Sequence, residues 1–198
     1  MKHIYTFFWL HFITTKLALA RRMTDIRITN IVCTCNFNTS IYLPHFVHLY
    51  PFCEWNRKKF AAATMRFTDP RTTCLVFGSG RLVCTGACTL IAAKVTILQA
   101  IQLVKLAGYQ PRVSDFHVQN IASAFEHSES LNLAALYSRW PEETNYEPEL
   151  FPALIFRPSI ESNGVYLIFE SGRVVITGCK TVQGVQDAYR NALRVLSG

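Results

Sequence analysis

The residue types able to do covalent or metal chemistry are present in this chain, but not at spacings that assemble a reaction centre. Seven cysteines occur: Cys33, Cys35, Cys53, Cys74, Cys84, Cys88 and Cys179. Their number is odd and no C-x-x-C pair is among them, which argues against a disulfide framework or a zinc site. Several lie in strand-like apolar runs, where a free thiol behaves as a small hydrophobe. His45-x-x-His48 has no partners at metal-ligand spacing. Gly78-Ser79-Gly80 is a hairpin turn rather than a nucleophile elbow. The chain has no P-loop, no dinucleotide fingerprint and no clustered acid–base pair, so neither an enzyme nor a cofactor is expected.

The chemistry left is non-covalent, and it is written twice. Leu75-Val76-Phe77-Gly78-Ser79-Gly80-Arg81-Leu82-Val83-Cys84-Thr85-Gly86 is echoed by Leu167-Ile168-Phe169-Glu170-Ser171-Gly172-Arg173-Val174-Val175-Ile176-Thr177-Gly178. Asn30 and its neighbours, from Asp25 to Ile31, recur around Asn120, and Phe60 recurs at Phe151. Two long units of this kind form no solenoid. They suggest half-domains about a pseudo-twofold axis, which suits a ligand with an approximate dyad such as duplex DNA. A duplication without any ligand is the alternative that the repeat alone leaves open.

Period and punctuation place these residues on elements. Thr72–Phe77 and Arg81–Thr85 read as a hairpin, repeated at Val165–Phe169 and Arg173–Thr177. Thr89–Ala107, ended by Gly108, reads as a long helix with a counterpart at Thr181–Leu196. Short helices are expected near Leu43–Tyr50 and Ser130–Tyr137. The order predicts an α+β fold, with an antiparallel sheet and helices on one face.

Such a sheet should be polar on its open side, yet both faces of these hairpins are apolar. Leu75, Phe77, Val83 and Thr85 alternate with Cys74, Val76, Leu82 and Cys84; Leu167, Phe169, Val175 and Thr177 alternate with Tyr166, Ile168, Val174 and Ile176. One set can meet the helices. The other must meet a second sheet or a ligand, and the chain has too few further strands for a second sheet. A continuous floor of roughly eight to ten strands follows. The DNA minor groove fits such a floor: it offers few polar groups, and phenylalanine wedges can enter base steps while nearby bases neutralise phosphates.

Charge agrees with this reading. The 198 residues carry a net +7, half are hydrophobic and 17% are charged, which describes a folded chain with a basic balance. Arg57, Lys58, Lys59, Arg66, Arg71 and Arg81 face only Asp69 in their stretch, whereas Glu126 to Glu170 is acidic. Lys2, Lys16, Arg21 and Arg22 sit in an N-terminal segment whose Ile4–Ile13 run imitates a secretory signal peptide. A non-native extension before a start at Met23 is the favoured reading, because no disulfide spacing follows. That run is too short and interrupted to predict a membrane span.

These residues resemble the TATA-box-binding protein family. The resemblance rests on Arg57-Lys58-Lys59-Phe60-Ala61-Ala62, Pro70-Arg71-Thr72-Thr73, Leu82-Val83-Cys84-Thr85-Gly86-Ala87 and Tyr146-Glu147-Pro148-Glu149-Leu150-Phe151-Pro152, and spans roughly residues 25 to 198. It implies a pseudo-twofold saddle: two repeats, 24–112 and 113–198 after an extension over 1–23, forming one curved antiparallel sheet with helices on the convex face. It implies that Phe60, Phe77, Phe151 and Phe169 intercalate, a mode for which the family is a standard instance. Asn30, Val32, Leu75, Val83, Thr85, Asn120, Pro152, Leu167, Val175 and Thr177 would meet the groove. Lys59, Arg66, Arg81, Arg157 and Arg173 would meet phosphate or sugar. Glu147 and Glu149 match an acidic loop that contacts transcription factor IIB.

The implied function is a nuclear initiation factor that kinks A·T-rich promoter DNA and recruits transcription factor IIB and RNA polymerase. A paralogue acting mainly as a protein-interaction platform is the alternative. The chain departs from the family at several points. Thr89–Ala107 has Lys94 as its main charge, with Lys105 near its end. It is apolar nearly all round, which leaves the family's transcription factor IIA contact open and suggests an altered partner or a buried helix. Cys88 replaces a lysine, Asn163 falls where a base is usual, and Ala122 stands where valine touches the groove.

Overall fold

Alternation of residue type governs the architecture, because every strand of the two hairpins must turn one apolar row toward helices and the other away from them. The computed structural model describes residues 26–159 and 164–197. The N-terminal extension with its signal-like pattern, Asp25 and Asn163 lie outside them.

The first repeat runs β1 (Arg27–Asn36), α1 (Leu43–Leu49), β2 (Cys53–Glu54), β3 (Ala62–Thr68), β4 (Arg71–Phe77), β5 (Arg81–Ala87) and α2 (Leu90–Leu106). The second runs β6 (Ser114–Glu126), α3 (Leu133–Arg139), β7 (Thr144–Asn145), β8 (Leu154–Phe156), β9 (Val165–Ile168), β10 (Arg173–Cys179) and α4 (Val182–Ser197). All ten strands form one antiparallel sheet in the order β2-β3-β4-β5-β1-β6-β10-β9-β8-β7. Each half reads outward from the centre in the same order, as the repeat predicts. The halves join where β1 pairs with β6. There Ile31 lies opposite Ile121, and because these two are repeat mates, the pseudo-dyad passes between them.

Helix ends follow the sequence signals. Thr89 caps α2, its side chain accepting from Ala92 N at 3.0 Å, and Thr181 does the same for Gly184 N at 2.9 Å ahead of α4. Asn132 caps α3 through Ala135 N at 3.0 Å. The hairpin turns need glycine. Gly80 and Gly172 sit at φ of 86° and 90°, and a Cβ would stand 2.2 Å from Thr39 O at the first and 2.7 Å from Glu129 O and His127 O at the second.

The core is the helix-facing side. Cys74, Val76, Leu82 and Cys84 in one half and Tyr166, Ile168, Val174 and Ile176 in the other are at most 1% exposed. They pack with Ala93, Ile97, Ala100 and Val104 of α2 and with Val185, Ala188, Ala192 and Val195 of α4. The two helices then diverge. Helix α4 is amphipathic, exposing Gln183, Asp187, Arg190 and Arg194. At the repeat-related positions α2 exposes Ile91, Val95, Leu98 and Gln102, and Leu106 follows at its end. The buried placement that an apolar helix suggests is therefore not adopted: Ile91 is 76% and Leu98 60% exposed. None of the described helices is long and apolar enough to cross a membrane.

Candidate nucleic-acid interface

The face of the sheet away from the helices is where the second apolar row emerges. Leu75, Phe77, Val83 and Thr85 are half-buried, and so are Leu167, Phe169, Val175 and Thr177. No second sheet covers them among the described residues, and cross-strand register joins them into rows. Thr64 lies opposite Leu75, which lies opposite Val83; Ile155, Leu167 and Val175 make the matching row in the second half. Val32 lies opposite Asn120, and Asn30 opposite Ala122, so both halves run into one floor across the dyad.

At each end of the floor two phenylalanines meet edge to face. Phe60 and Phe77 have ring centroids 6.2 Å apart and planes 64° apart; for Phe151 and Phe169 the values are 6.3 Å and 66°. Equivalent local folding produces both pairs. Phe60 closes a turn in which Lys59 N and Phe60 N donate to Asn56 O, and Phe151 closes one in which Leu150 N and Phe151 N donate to Glu147 O. Phe77 and Phe169 precede the glycine turns, accepting from Gly80 N and Gly172 N. Phe60 and Phe151 remain 48% and 40% exposed, and large aromatic rings left open at repeat-related positions call for a ligand. Pro152 lies exposed beside Phe151.

Near the dyad the two asparagines are held by one device. Gly86 N donates to Asn30 Oδ1 at 2.7 Å, and Gly178 N donates to Asn120 Oδ1 at 2.7 Å. Gly86 and Gly178 have φ of 89° and 95°, the left-handed geometry that aims each N–H at its asparagine. The hydroxyls of Thr85 and Thr177 add contacts at 3.2 and 3.3 Å to the same oxygens. With each amide oxygen fixed, the amide nitrogens are oriented as donors. Asn120 Nδ2 donates to Thr177 Oγ1 at 3.1 Å. Asn30 Nδ2 donates to nothing among the described residues. The floor is thus apolar with two central donors, the complement of a surface that carries acceptors only.

The cations flank this floor unequally. Lys59, Arg81, Arg157 and Arg173 are exposed and form no ion pair among the described residues. Arg66 pairs with Glu54 at 3.4 Å, both side chains more than half exposed, an arrangement worth little against solvent. Glu147 and Glu149 lie exposed on the loop before Phe151, away from the floor's centre. No cluster of metal-ligating side chains occurs among the described residues.

Thr64, Thr73, Ile155 and Val165 also line the floor, and the sequence reading left them out. The signal was available in the repeat offset, since Val165 is the mate of Thr73. For Thr64 and Ile155 the pattern itself is weak, because β3 and β8 lack the clean alternation of the hairpins.

A family profile described as transcription factor TFIID (or TATA-binding protein, TBP) matches residues 25–107 and 115–198. The TATA-box-binding protein of Caenorhabditis elegans is 37% identical over 171 residues, covering 86% of this chain and 50% of that protein. That of Dictyostelium discoideum is 36% identical over 170 residues, covering 86% of this chain and 82% of its own length. The chain thus spans about half the length of the first relative and most of the second. Among solved structures, Methanococcus jannaschii TBP superposes with a TM-score of 0.75 at 30% identity, covering 87% of this chain and 98% of that one.

Proposed function

The chain belongs to the TATA-binding protein family, a family of DNA-binding transcription factors and not of enzymes, and on that premise we propose that it binds the minor groove of A·T-rich promoter DNA and kinks it. One observation carries the proposal: two equivalent phenylalanine pairs stand at the ends of one apolar floor, uncovered among the described residues, with an oriented asparagine on each side of its centre.

The mechanism follows from groove chemistry. The floor of the minor groove at A·T pairs carries only acceptors. The amides of Asn30 and Asn120 donate to them. Val32, Leu75, Val83, Leu167 and Val175 lie against sugar and base edges, and Thr85 and Thr177 add hydroxyls. Pressing a wide, curved sheet into a narrow groove forces the groove open. Phe60 with Phe77, and Phe151 with Phe169, enter a base step at each end and hold the duplex bent, at an unstacking cost of about a few kcal/mol per step. Lys59, Arg66, Arg81, Arg157 and Arg173 meet the phosphates drawn toward the rim, so affinity falls as salt rises. The two repeats, 24–112 and 113–198, act as halves of this one surface.

Bent DNA is the platform for assembly. The exposed Glu147 and Glu149 are offered to transcription factor IIB, and through it to RNA polymerase, in the nucleus. The outward apolar face of α2 lacks the bases of an ordinary transcription factor IIA site, which favours a changed partner on that side.

Mobility-shift titration tests the proposal. The full chain retards an A·T-rich duplex at concentrations at least about tenfold lower than a G·C-rich duplex of equal length. Equal affinity for the two would overturn it and favour a protein-interaction platform.

A further inference from the structure

The two halves of the floor differ beside the dyad. Val32 in the first half answers to Ala122 in the second, and Thr34 to Ala124. Thr34 is only 7% exposed, because Gln119 Nε2 donates to its Oγ1 at 2.8 Å and the Gln119 side chain lies over it. Gln119 is the residue skipped where the β1–β6 register shifts, and Thr29 is skipped at the mate position. Thr29 is shorter. Its hydroxyl donates to Ala122 O at 3.2 Å and covers nothing beyond. A hollow of about 380 Å³ remains there, lined by Ala124, Thr29, Arg27, Arg173 and Glu126 among others.

This hollow lies on the groove side. Ala124 is opposite Val175 in one direction and Arg27 in the other, and Val175 belongs to the floor. So the first half is filled beside the centre by a branched side chain and a covered threonine. The second half lacks two methyl groups at Ala122, and a methyl group, a hydroxyl and its cover at Ala124.

What fits such a hollow is set by the groove. A·T and T·A present a floor of acceptors, whereas G·C adds one donor, the guanine 2-amino group, standing out from it. Val32 and Gln119 leave no room for that group. Ala124 does, with the small Ala122 two residues along the same strand toward the centre, and acceptors are at hand: Thr29 Oγ1 retains a lone pair after donating to Ala122 O, and Glu126 lines the same space. Resting on the minor-groove reading above, we infer that the second half of the floor admits a G·C pair next to the centre of its site and the first half rejects one. The protein is then a directional reader, and the direction is set by Val32 and Ala122.

A self-complementary A·T duplex tests this, because a pseudo-twofold protein can bind it in either orientation. One G·C pair beside the centre is accepted, the protein turning to place it under Ala122, and affinity falls less than about threefold; a symmetric pair of substitutions puts one under Val32 and costs about tenfold or more. Replacing guanine by inosine, which lacks the 2-amino group, removes the cost. Ala122→Val makes the single substitution costly, and Val32→Ala makes the symmetric pair tolerated, each cost being the ratio to that variant's own affinity for the all-A·T duplex. Equal costs per substitution, single or symmetric, overturn the inference, as does an Ala122→Val variant as tolerant as the wild type. If the wild type fails to prefer the all-A·T duplex over a G·C-rich one, the minor-groove reading falls and this inference with it.

Discussion

Phe169 shows how much a single side chain is asked to do. It sits at the end of the floor, its ring against Phe151 at 6.3 Å, half-buried and unneeded by the core behind it. Phe169→Ala should leave the fold intact and weaken binding to A·T-rich DNA about tenfold, the loss of one base–aromatic contact, with a reduced bend in circular-permutation mobility. Unchanged bending would remove Phe169 from the wedge. Thr85 tests the floor itself. Thr85→Lys places an ammonium where the groove must be dry and removes a hydroxyl from Asn30. An unpaired buried charge costs several kcal/mol, so affinity should drop roughly 100-fold or more with no change in circular dichroism. Retained affinity would show that this face does not meet DNA.

At this scale much was legible beforehand. The four phenylalanines and the two asparagines stand at repeat-related positions, and repetition marks what composition hides. The chelation of each asparagine by a left-handed glycine was not legible, because Gly86 and Gly178 lie 56 and 58 residues away in the chain. The Glu54 partner of Arg66 was hidden for the same reason: β2 is two residues long and has no pattern to read.

Elements fix which row of a hairpin is core. Six of the seven cysteines lie on the helix-facing side or beneath it and are buried; Cys88, just after β5, is exposed. Burial also pushes the Cys33, Cys35 and Cys53 thiols up to about 11, so little thiolate forms at neutral pH. Native protein at pH 8 should therefore take up one equivalent of a maleimide, at Cys88, and seven after unfolding. Rapid labelling of Cys74 or Cys84 in the native state would reverse the face assignment.

The hairpins and long helices were readable because period-two alternation, glycine turns and threonine caps coincide in them. Helix α2 was readable as a helix but not in its placement. An apolar sequence all round indicates burial when nothing else is known, yet α2 lies on an outer layer with nothing beyond it among the described residues, and Ile91, Leu98 and Leu106 face outward.

The whole molecule is governed by its dyad. One sheet of ten strands arises because β1 and β6, each the first strand of its repeat, pair with one another, and the open apolar rows become continuous only through that pairing. Two-foldness in the sequence therefore specifies a two-fold surface. The inequality of its halves lies at floor positions where the copies differ, Val32 and Ala122 among them.

On the proposed minor-groove reading a duplex held by this surface is bent, because wedges at two ends and a broad floor between them cannot engage a straight groove. Fluorescence energy transfer between dyes at the ends of a short A·T-rich duplex measures this directly. Saturating protein should raise the transfer efficiency, and a variant with Phe60, Phe77, Phe151 and Phe169 all changed to alanine should not do so even when bound. Saturation of the duplex by the wild-type chain with no change in transfer would contradict the account.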